Sequence, residues 1–273
     1  MNLGTANITA LNLGTTSIPK AYLGTTQVFS SYTPYTGTVA FLCIGQSNMI
    51  GRADYTTGAK FPSGVYQYNQ AGSVVSLAGA YQMDFQDDVS TDMTPMVNFA
   101  IDFMAENPDA TLVFIPAAVG GTGFITNHWN QGDTWYNAAK NRANAYFTAN
   151  PTTQFLGFLW HQGENDALTA GGAAVYQTNL DTFIDDIRTD VTVAEATSPF
   201  VLGGFSQTFI NYGADYSTVN SIVLDTPNRK SYTSVAEGVD LTLQDTYHFN
   251  EAGVRIIGSR YYTHWKSALV NGG

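Results

Sequence analysis

From residue 39 onward, the sequence alternates between short apolar runs and longer stretches in which apolar residues recur every three or four positions. The apolar runs predict buried strands at 39–44, 65–69, 111–117, 155–160, 200–205 and 232–236. The periodic stretches predict amphipathic helices at 94–106, 134–149, 172–190 and 250–269. Strand–helix alternation with such long crossovers indicates an α/β fold, in which a mostly parallel sheet carries helices on both faces. In sheets of this kind the functional site lies beyond the carboxyl ends of the strands.

The first thirty residues follow a different pattern, a repeat with a spacing of ten residues. Its units are LGTANI at 3–8, LGTTSI at 13–18 and LGTTQV at 23–28. Each unit joins a Gly-Thr turn to a run ending in Ile or Val, which predicts a small N-terminal β-rich segment at 1–30. Three such units bury little surface, so we expect the segment to pack on a partner or on copies of itself. A Ser-, Tyr-, Thr- and Pro-rich linker at 31–38 leads to the main domain at 39–273.

The charge balance argues against two classes of partner. The 273 residues include 22 acidic and 11 basic ones, for a formal net charge of −11 at pH 7. A nucleic-acid partner requires clustered Lys and Arg, and because the sequence has no basic run we expect no nucleic-acid binding. The same shortage disfavours a membrane surface, and no apolar run approaches the ~20 residues of a membrane span. The sequence also begins without the pattern of a signal peptide, so we expect another route to any extracellular site.

The apolar fraction is large enough for a sizeable core, because hydrophobic residues make up 44% of the chain. The single cysteine, Cys43, lies within the apolar run at 39–44, which predicts a core position for it. One cysteine forms neither an internal disulfide nor, by itself, a zinc site.

A serine follows the first predicted strand of the main domain, within the sequence GQSNM at 45–49. Gly45 allows a tight turn, and Ser47 would present its hydroxyl at the carboxyl edge of the sheet. A serine in this place is also typical of a turn or a helix cap. The residue two positions after Ser47 is not glycine, which excludes the G-x-S-x-G elbow of α/β-hydrolases.

A glycine pair follows the predicted strand at 111–117, within the sequence AVGGT at 118–122. Gly120 and Gly121 let the backbone approach a ligand and point an N–H group at developing negative charge. A flexible turn would carry the same sequence, so the pair alone decides nothing. The G-x-G-x-x-G spacing of a dinucleotide site is missing here.

The sequence WHQGEND at 160–166 follows the next predicted strand and is dense in hydrogen-bonding side chains. The amides of Gln162 and Asn165 can donate to an oxyanion without a change of charge. Glu164 and Asp166 would alternatively form the carboxylate pair of a glycoside hydrolase. Two residues this close on one loop rarely flank a sugar bond on opposite sides, so we disfavour that alternative.

An Asp-x-x-His sequence, Asp245 to His248, precedes the last predicted helix, for which Asn250 is a plausible N-cap. The carboxylate can turn back and accept from one imidazole nitrogen, which leaves the other nitrogen to take a proton from a serine. A surface turn would explain the same residues. The other histidines, His128, His161 and His264, lack a comparable carboxylate in the sequence.

Together the four groups occur in the order serine, glycine pair, amide, Asp-His. In this order the chain resembles the SGNH hydrolases from about residue 39 to 269. It is most similar to their sialate O-acetylesterase and acetylxylan esterase branch, carbohydrate esterase family six and its relatives. The resemblance is carried by GQSNM at 45–49, AVGGT at 118–122 with Trp129 downstream, WHQGEND at 160–166 and DTYHF at 245–249.

This resemblance implies a three-layer α/β/α, flavodoxin-like fold and a serine mechanism that uses neither cofactor nor metal. It implies Ser47 as the nucleophile, His248 as the general base and Asp245 as the residue that orients the base. The oxyanion hole would combine the Ser47 N–H group, a backbone N–H from the glycine pair and a side-chain amide.

Two residues are candidates for the side-chain amide donor of the oxyanion hole. The Gly-x-Asn-Asp pattern of general SGNH enzymes matches 163–166 and selects Asn165. The Gln-Gly-Glu pattern of the carbohydrate branch selects Gln162, which we favour. The sequence does not indicate whether Gly120 or Gly121 supplies the backbone N–H donor.

The expected substrate is an O-acetylated glycan. We expect Gln46, Trp129 and Glu164 to contact it, and aromatic residues near the motifs could stack on sugar rings or pack in the core; these are Trp129, Trp135, Tyr136 and Trp160. Two rival hypotheses are a glycan-binding adhesin on an inactive hydrolase fold and a lipid esterase or thioesterase of the same fold.

The Leu-Gly-Thr repeats resemble short modules of phage tail proteins. This resemblance implies an extracellular or virion-associated enzyme, such as a tail-associated deacetylase of a surface polysaccharide. Residues 1–30 would then mediate homo-oligomer or virion assembly.

Overall fold

A computed structural model of the protein describes residues 33–85 and 92–271, together with the backbone of four short strands between residues 12 and 30. The strands are β1 (Asn12–Leu13), β2 (Thr16–Ser17), β3 (Lys20–Leu23), β4 (Thr26–Ser30), β5 (Gly37–Gly45), β6 (Ala53–Asp54), β7 (Val65–Tyr68), β8 (Val74–Ser76), β9 (Asp92–Met93), β10 (Ala110–Pro116), β11 (Gln154–His161), β12 (Phe200–Gly203) and β13 (Thr233–Ala236). The helices are α1 (Ser47–Ile50), α2 (Met96–Glu106), α3 (Thr134–Ala149), α4 (Glu164–Leu168), α5 (Gly172–Asp190), α6 (Gln207–Ile210), α7 (Ala214–Arg229) and α8 (Glu251–Ala268).

Seven strands form one sheet in the order β13-β12-β11-β5-β10-β7-β8. The first six in this order run parallel to their neighbours, while β8 pairs antiparallel with β7 at the edge. The six parallel strands are those that the apolar runs predict, so the expected α/β class is confirmed. Strand β5 lies at the centre, between β10 and β11, and its carboxyl end is therefore flanked by the ends of two other buried strands.

Alternate residues of β5 point into two hydrophobic cores, one on each face of the sheet. Phe41 and Cys43 belong to a core with residues of α2 and α8. Leu42 and Ile44 belong to a core with residues of α3, α5 and α7. The chain therefore forms the three layers that the resemblance implies. Burial raises the pKa of the Cys43 thiol, as expected for an inert core residue.

Helix α7 is the long element that the sequence patterns do not predict. Its buried residues are Val219, Asn220, Val223 and Thr226, so half of its core-facing stripe is polar. Asn220 is tolerated there because its side-chain oxygen accepts a hydrogen bond of 2.8 Å from the Phe205 N–H group. Apolar periodicity alone cannot detect a helix whose buried face carries satisfied polar groups.

In the N-terminal region, β1 pairs antiparallel with β2, and β3 pairs antiparallel with β4. The strands begin or end within the second and third repeat units, whereas the first unit at 3–8 lies outside the described residues. Within the described part of the chain, no helix combines the length and apolar character that a bilayer crossing demands.

Candidate active site

The position of Ser47, the candidate nucleophile, is set by the contact between the ends of β5 and β11. Gly45 has a φ of +120°, and a Cβ atom at this position would lie 2.1 Å from the carbonyl oxygen of His161. Only glycine permits so close an approach. The Gln46 N–H group then donates to the same carbonyl oxygen at 2.7 Å. Ser47 follows directly and begins α1, so its hydroxyl lies at the carboxyl edge of the sheet, as predicted.

Three of the predicted residues meet above this edge. The Nε2 atom of His248 lies 2.9 Å from the Oγ atom of Ser47, although the two residues are 201 positions apart. The Nδ1 atom of His248 lies 2.7 Å from Oδ2 of Asp245. An Nδ1–H group that donates to the carboxylate leaves Nε2 to accept from the serine hydroxyl. The side chain of Asn250 accepts from the Gly253 N–H group, as expected for the N-cap of α8.

Asp245 is held in place by the backbone of its own loop. Its Oδ1 atom accepts hydrogen bonds of 2.8 Å from the N–H groups of Tyr247 and His248. Partial burial of the Asp245 carboxyl favours its neutral form, but the hydrogen bonds from His248 and the loop backbone outweigh burial and lower its pKa. The carboxylate is therefore ionised at neutral pH and can orient the imidazole.

A cavity of about 370 Å³ opens beside Ser47 and His248. Its walls come from the loops after β5, β10 and β11 and from the loop before α8, and they are formed by Gln46, Ser47, Arg52, Gly120, Gly121, Glu164, Asn165, Leu168, Tyr247 and His248. A larger open groove of about 580 Å³ lies between α5 and α7, away from this cluster of functional groups. The cavity beside Ser47 is the candidate active site because it is lined by Ser47, His248 and both glycines of the pair.

The family comparison agrees with this geometry. The family model described as carbohydrate esterase, sialic acid-specific acetylesterase matches residues 38–267. The chain belongs to this family. The protein is therefore a carbohydrate esterase, a carboxylic ester hydrolase, and the resemblance inferred from the sequence is confirmed. A comparison with curated protein sequences finds no match.

Solved structures show the same fold. A protein from Arabidopsis thaliana has a TM-score of 0.73 at 20% identity, with 86% of this chain and 99% of that one covered. NanS has a TM-score of 0.67 at 15% identity, with 86% and 98% covered. A carbohydrate acetylesterase from Xanthomonas citri has a TM-score of 0.62 at 16% identity, with 85% and 56% covered. At these identities the likeness shows the fold of the esterase and nothing finer.

Of the two candidate amides in this esterase, Asn165 is the one that faces the cavity. Gln162 is fully buried, and its Nε2 group donates to Oδ2 of Asp166 at 2.7 Å and to the carbonyl oxygen of Thr122 at 3.1 Å. Both amide hydrogens are thus already used within the protein. Our preference for Gln162 as the oxyanion donor is not supported by this arrangement, which favours the alternative, Asn165.

Gln46 lines the cavity but uses its side chain to hold the loop after β11. Its Oε1 atom accepts from the N–H group of Asn165 at 3.2 Å, from that of Gly163 at 3.4 Å and from Nε2 of Gln162 at 3.2 Å. The residue before the nucleophile therefore positions the candidate oxyanion donor, a role that the sequence did not indicate. Its expected contact with substrate stays a prediction.

Glu164 takes part in a second histidine–carboxylate pair beneath the cavity. Its Oε1 atom accepts a hydrogen bond of 2.6 Å from Asn48 and lies 3.4 Å from Nε2 of His161. The expectation that His161 lacks a carboxylate is therefore wrong. Burial raises the pKa of the Glu164 carboxyl, but the neighbouring His161 and Asn48 outweigh burial and leave it lowered. Glu164 is only 2% exposed, so its main observed contacts are internal.

Asn48 is a site residue that the sequence analysis missed. Besides Glu164, its Nδ2 group donates to the carbonyl oxygen of Tyr247 at 3.0 Å, and its Oδ1 atom accepts from the Phe249 N–H group at 3.3 Å. These bonds tie the buried carboxylate to the loop that carries His248. Because the partners of Asn48 lie 116 to 201 positions away, its role leaves no local sequence pattern.

Of the tryptophans for which stacking on sugars and core packing were both open, Trp129 and Trp160 are core residues, while Trp135 is partly exposed. Trp129 has no exposed surface, its Nε1 group donates to Oγ1 of Thr122 at 2.8 Å, and its ring packs edge-on against Trp160 at 5.2 Å. Trp160 and Tyr136 are equally buried, and Trp135 packs against the same core. A ring with no exposed face cannot stack on a sugar, so the expectation of substrate contact is wrong for Trp129.

Asp166 is a structural carboxylate. It is fully buried, and it accepts hydrogen bonds from the N–H groups of Ile125 at 2.8 Å and Phe124 at 3.1 Å. Burial raises the pKa of its carboxyl, although these hydrogen bonds act in the opposite direction. The Glu164–Asp166 pair therefore does not offer two carboxylates to a sugar bond. In the described ranges, no three His, Cys, Asp or Glu side chains form a group that could hold a metal ion.

Proposed function

We propose that this carbohydrate esterase removes O-acetyl or similarly small acyl groups from a glycan through an acyl-enzyme at Ser47. One observation carries the proposal: the His248 imidazole lies between the Ser47 hydroxyl, at 2.9 Å, and the Asp245 carboxylate, at 2.7 Å. This is the geometry that nucleophilic catalysis by a serine requires.

The reaction has two steps. Ser47 Oγ attacks the ester carbonyl carbon while Nε2 of His248 takes the hydroxyl proton, and the tetrahedral intermediate then expels the sugar hydroxyl, which receives that proton. Water, deprotonated by the same nitrogen, attacks the acyl-enzyme and releases the carboxylic acid and free Ser47. Asp245 stabilises the imidazolium that forms in each step.

Three groups supply the oxyanion hole in this proposal: the Ser47 N–H group, an N–H group of Gly120 or Gly121, and the Asn165 side-chain amide. The glycine pair lies close to Ser47 because the chain after β10 continues alongside β5. The Val119 N–H group donates to the Gly45 carbonyl oxygen at 3.0 Å. Both glycines and Asn165 line the cavity. Donors of this kind act on the negative charge of the tetrahedral intermediate.

The size and lining of the cavity support a small acyl group. A volume of about 370 Å³ is near the lower end for small-molecule sites. Most of the residues that line it carry a polar side-chain group and Leu168 is the one aliphatic side chain, while carbon atoms form the larger part of the wall surface. A lipid esterase or thioesterase would need a longer apolar channel for its acyl chain, so the carbohydrate ester is favoured over that alternative.

The test is acetate release from a panel of O-acetylated glycans, with Ser47→Ala as the control. We expect release by the wild-type protein, labelling of Ser47 by a fluorophosphonate probe, and neither with Ser47→Ala. Activity confined to long-chain lipid esters would contradict the substrate class. Glycan binding without probe labelling or turnover would instead favour the adhesin hypothesis.

For residues 1–30 we propose a role in attachment or assembly, at an extracellular site or on a virion. The repeat units and their paired strands support this role, since such short hairpins bury little surface alone. Deletion of residues 1–30 should leave turnover of p-nitrophenyl acetate unchanged and alter the oligomeric state or attachment. Loss of turnover would show that the segment belongs to the catalytic domain.

A further inference from the structure

Exposed aromatic side chains continue from the catalytic cavity onto the protein surface. Tyr247 lines the cavity and is 38% exposed, and Tyr212 is 54% exposed. Tyr216 is partly exposed, and Phe209 is buried beneath these three rings. We call Tyr212, Tyr216 and Tyr247, with Phe209 under them, the tyrosine platform.

Ring contacts hold the platform together. The centroid of the Phe209 ring lies 6.2 Å from that of Tyr247, 4.9 Å from that of Tyr216 and 6.2 Å from that of Tyr212, each in an edge-on arrangement. The rings of Tyr212 and Tyr216 are 6.0 Å apart. Edge-on packing around one buried ring fixes the orientation of all three tyrosines.

The platform is also anchored to the backbone that leads to His248. Phe209 lies on α6, whose N-cap Ser206 donates to the carbonyl oxygen of Leu241 at 2.6 Å. The Gln207 N–H group donates to the carbonyl oxygen of Val239 at 3.0 Å. The platform and the catalytic loop therefore rest on the same segment, residues 239–248, so a ligand can contact both without a change in the backbone.

The chemistry of the platform fits a sugar chain. Between residues 205 and 222 the sequence contains one charged residue, Asp215, while Gln207 and Asn211 supply exposed amides. The C–H face of a pyranose ring packs on an aromatic ring, and its hydroxyl groups need neutral hydrogen-bonding partners at the edges. A lipid surface or a nucleic acid would require basic residues here, and a protein partner of ordinary size would require a larger apolar patch.

We propose that the tyrosine platform binds the sugar units next to the acetylated one, so that the esterase acts on a polysaccharide chain rather than on a free acetylated monosaccharide. This inference rests on the proposed function, because the acetylated unit occupies the catalytic cavity. Tyr247 belongs both to the cavity wall and to the platform, and this continuity selects a single chain as the occupant of both.

The platform acts on substrate capture and not on the acyl transfer. An aromatic ring that stacks on a ligand contributes enough to change kcat/KM by roughly three- to tenfold. Tyr212→Ala should therefore lower kcat/KM by this factor on an acetylated polysaccharide such as acetylated xylan, mainly through KM. The same variant should keep wild-type rates on p-nitrophenyl acetate and on an acetylated monosaccharide.

Two further variants complete the experiment. Tyr212→Phe keeps the ring and should retain most of the activity on the polymer. Leu224→Ala removes an apolar side chain of similar exposure, 41%, on α7 but outside the platform, and should behave as the wild type. A wild-type enzyme that handles polymers no better than monosaccharides overturns the proposal, as does an equal loss on all substrates in Tyr212→Ala.

A binding measurement separates this inference from the proposed function. Affinity electrophoresis of the Ser47→Ala variant in gels that contain acetylated xylan, glucomannan or sialoglycan reports binding without turnover. Retardation in at least one gel that is roughly three- to tenfold weaker in the double variant Ser47→Ala/Tyr212→Ala supports the platform even if no acetate is released. Acetate release from polymers without retardation of Ser47→Ala, or retardation of equal strength in Ser47→Ala and in the double variant Ser47→Ala/Tyr212→Ala, refutes the platform and leaves the esterase assignment intact.

Discussion

The pairs His248–Asp245 and His161–Glu164 are built from the same parts, since each joins a histidine to a carboxylate three residues away. In the first pair, Nδ1 faces the carboxylate and Nε2 faces Ser47. In the second, Nε2 faces the carboxylate and Nδ1 lies 3.0 Å from the hydroxyl of Tyr261. The two pairs thus differ in what the second nitrogen meets.

They differ as well in exposure. The side chains of His248 and Asp245 are 21% and 46% exposed, whereas those of His161 and Glu164 are 0% and 2% exposed. The exposed pair, which we call the open pair, has the Ser47 hydroxyl at the second nitrogen of His248 and can exchange a proton with a substrate. The buried pair of His161 and Glu164 contacts only protein groups and can only hold them in place. The comparison indicates that a histidine–carboxylate pair is a candidate catalytic base only where it is accessible to solvent and to a hydroxyl group.

The largest effect on kcat should come from the replacement of His248, the histidine of the open pair. We expect His248→Ala to lower kcat on p-nitrophenyl acetate by about 10⁴-fold or more, because the proposed mechanism assigns His248 as the base for Ser47. Circular dichroism should show an unchanged fold. The matched variant His264→Ala removes a half-buried histidine that contacts Ser234 and should keep wild-type kcat. Comparable losses of kcat in both variants would contradict the assignment of His248 as the base.

The carboxylate of the open pair should have the second largest effect. Asp245→Asn removes the charge that stabilises the imidazolium, so we expect kcat to fall by about 10²- to 10⁴-fold. Asp240→Asn serves as the control, since Asp240 is an exposed carboxylate nearby that pairs with Arg260. If Asp245→Asn retained full kcat between pH 6 and 8, Asp245 would not be the orienting residue.

The buried pair should have a smaller effect, through geometry. In Glu164→Gln the shape is kept but the charge that binds Asn48 and His161 is lost, so the loop of His248 shifts and kcat falls by roughly tenfold. KM should stay close to the wild-type value. A raised KM with unchanged kcat would instead support the substrate contact that the sequence suggested for Glu164. Glu106→Gln, at a carboxylate that pairs with Lys266 away from the cavity, should leave both constants unchanged.

The smallest expected effect is a pH-dependent change in the free energy of unfolding of Glu164→Gln. The pKa of the Glu164 carboxyl is lowered by folding, so its ionised form stabilises the native state above its ordinary pKa of 4.5, and this contribution is lost as the pH falls through the lower folded value. Wild type should therefore exceed Glu164→Gln by about 1–3 kcal/mol in unfolding free energy near pH 7. The gap should narrow below about pH 4.5. Urea titrations at several pH values measure it, and a gap that widens in acid would reverse the assigned sign.

The sequence predicts the parallel strands and four of the long helices because burial on both faces of a sheet imposes apolar runs and periodic stripes. It also predicts Ser47, Asp245 and His248, since each motif sits at the edge of an element and belongs to a recognisable order. Their relative geometry appears only in the structure.

The rest depends on contacts between distant residues. Asn48 and Glu164 meet across 116 positions, so no local spacing reveals them. An aromatic residue near a motif can face the core or the solvent, and periodicity does not distinguish the two for a loop residue such as Trp129. Tyr212 lies in a segment without apolar periodicity or a motif, so no sequence pattern marks it as a binding residue. It is nevertheless more exposed than any of the tryptophans.

Four of the five residues from Gly45 to Met49 contact other parts of the candidate site. Gly45 abuts the end of β11, Gln46 holds the candidate oxyanion loop, Ser47 meets His248, and Asn48 binds both Glu164 and the loop of the base. Anyone grafting this chemistry onto a new scaffold would have to transplant that pentapeptide in its strand-end setting first. The remaining loops could then be rebuilt around it, since it already supplies the backbone and side-chain groups that those loops contact.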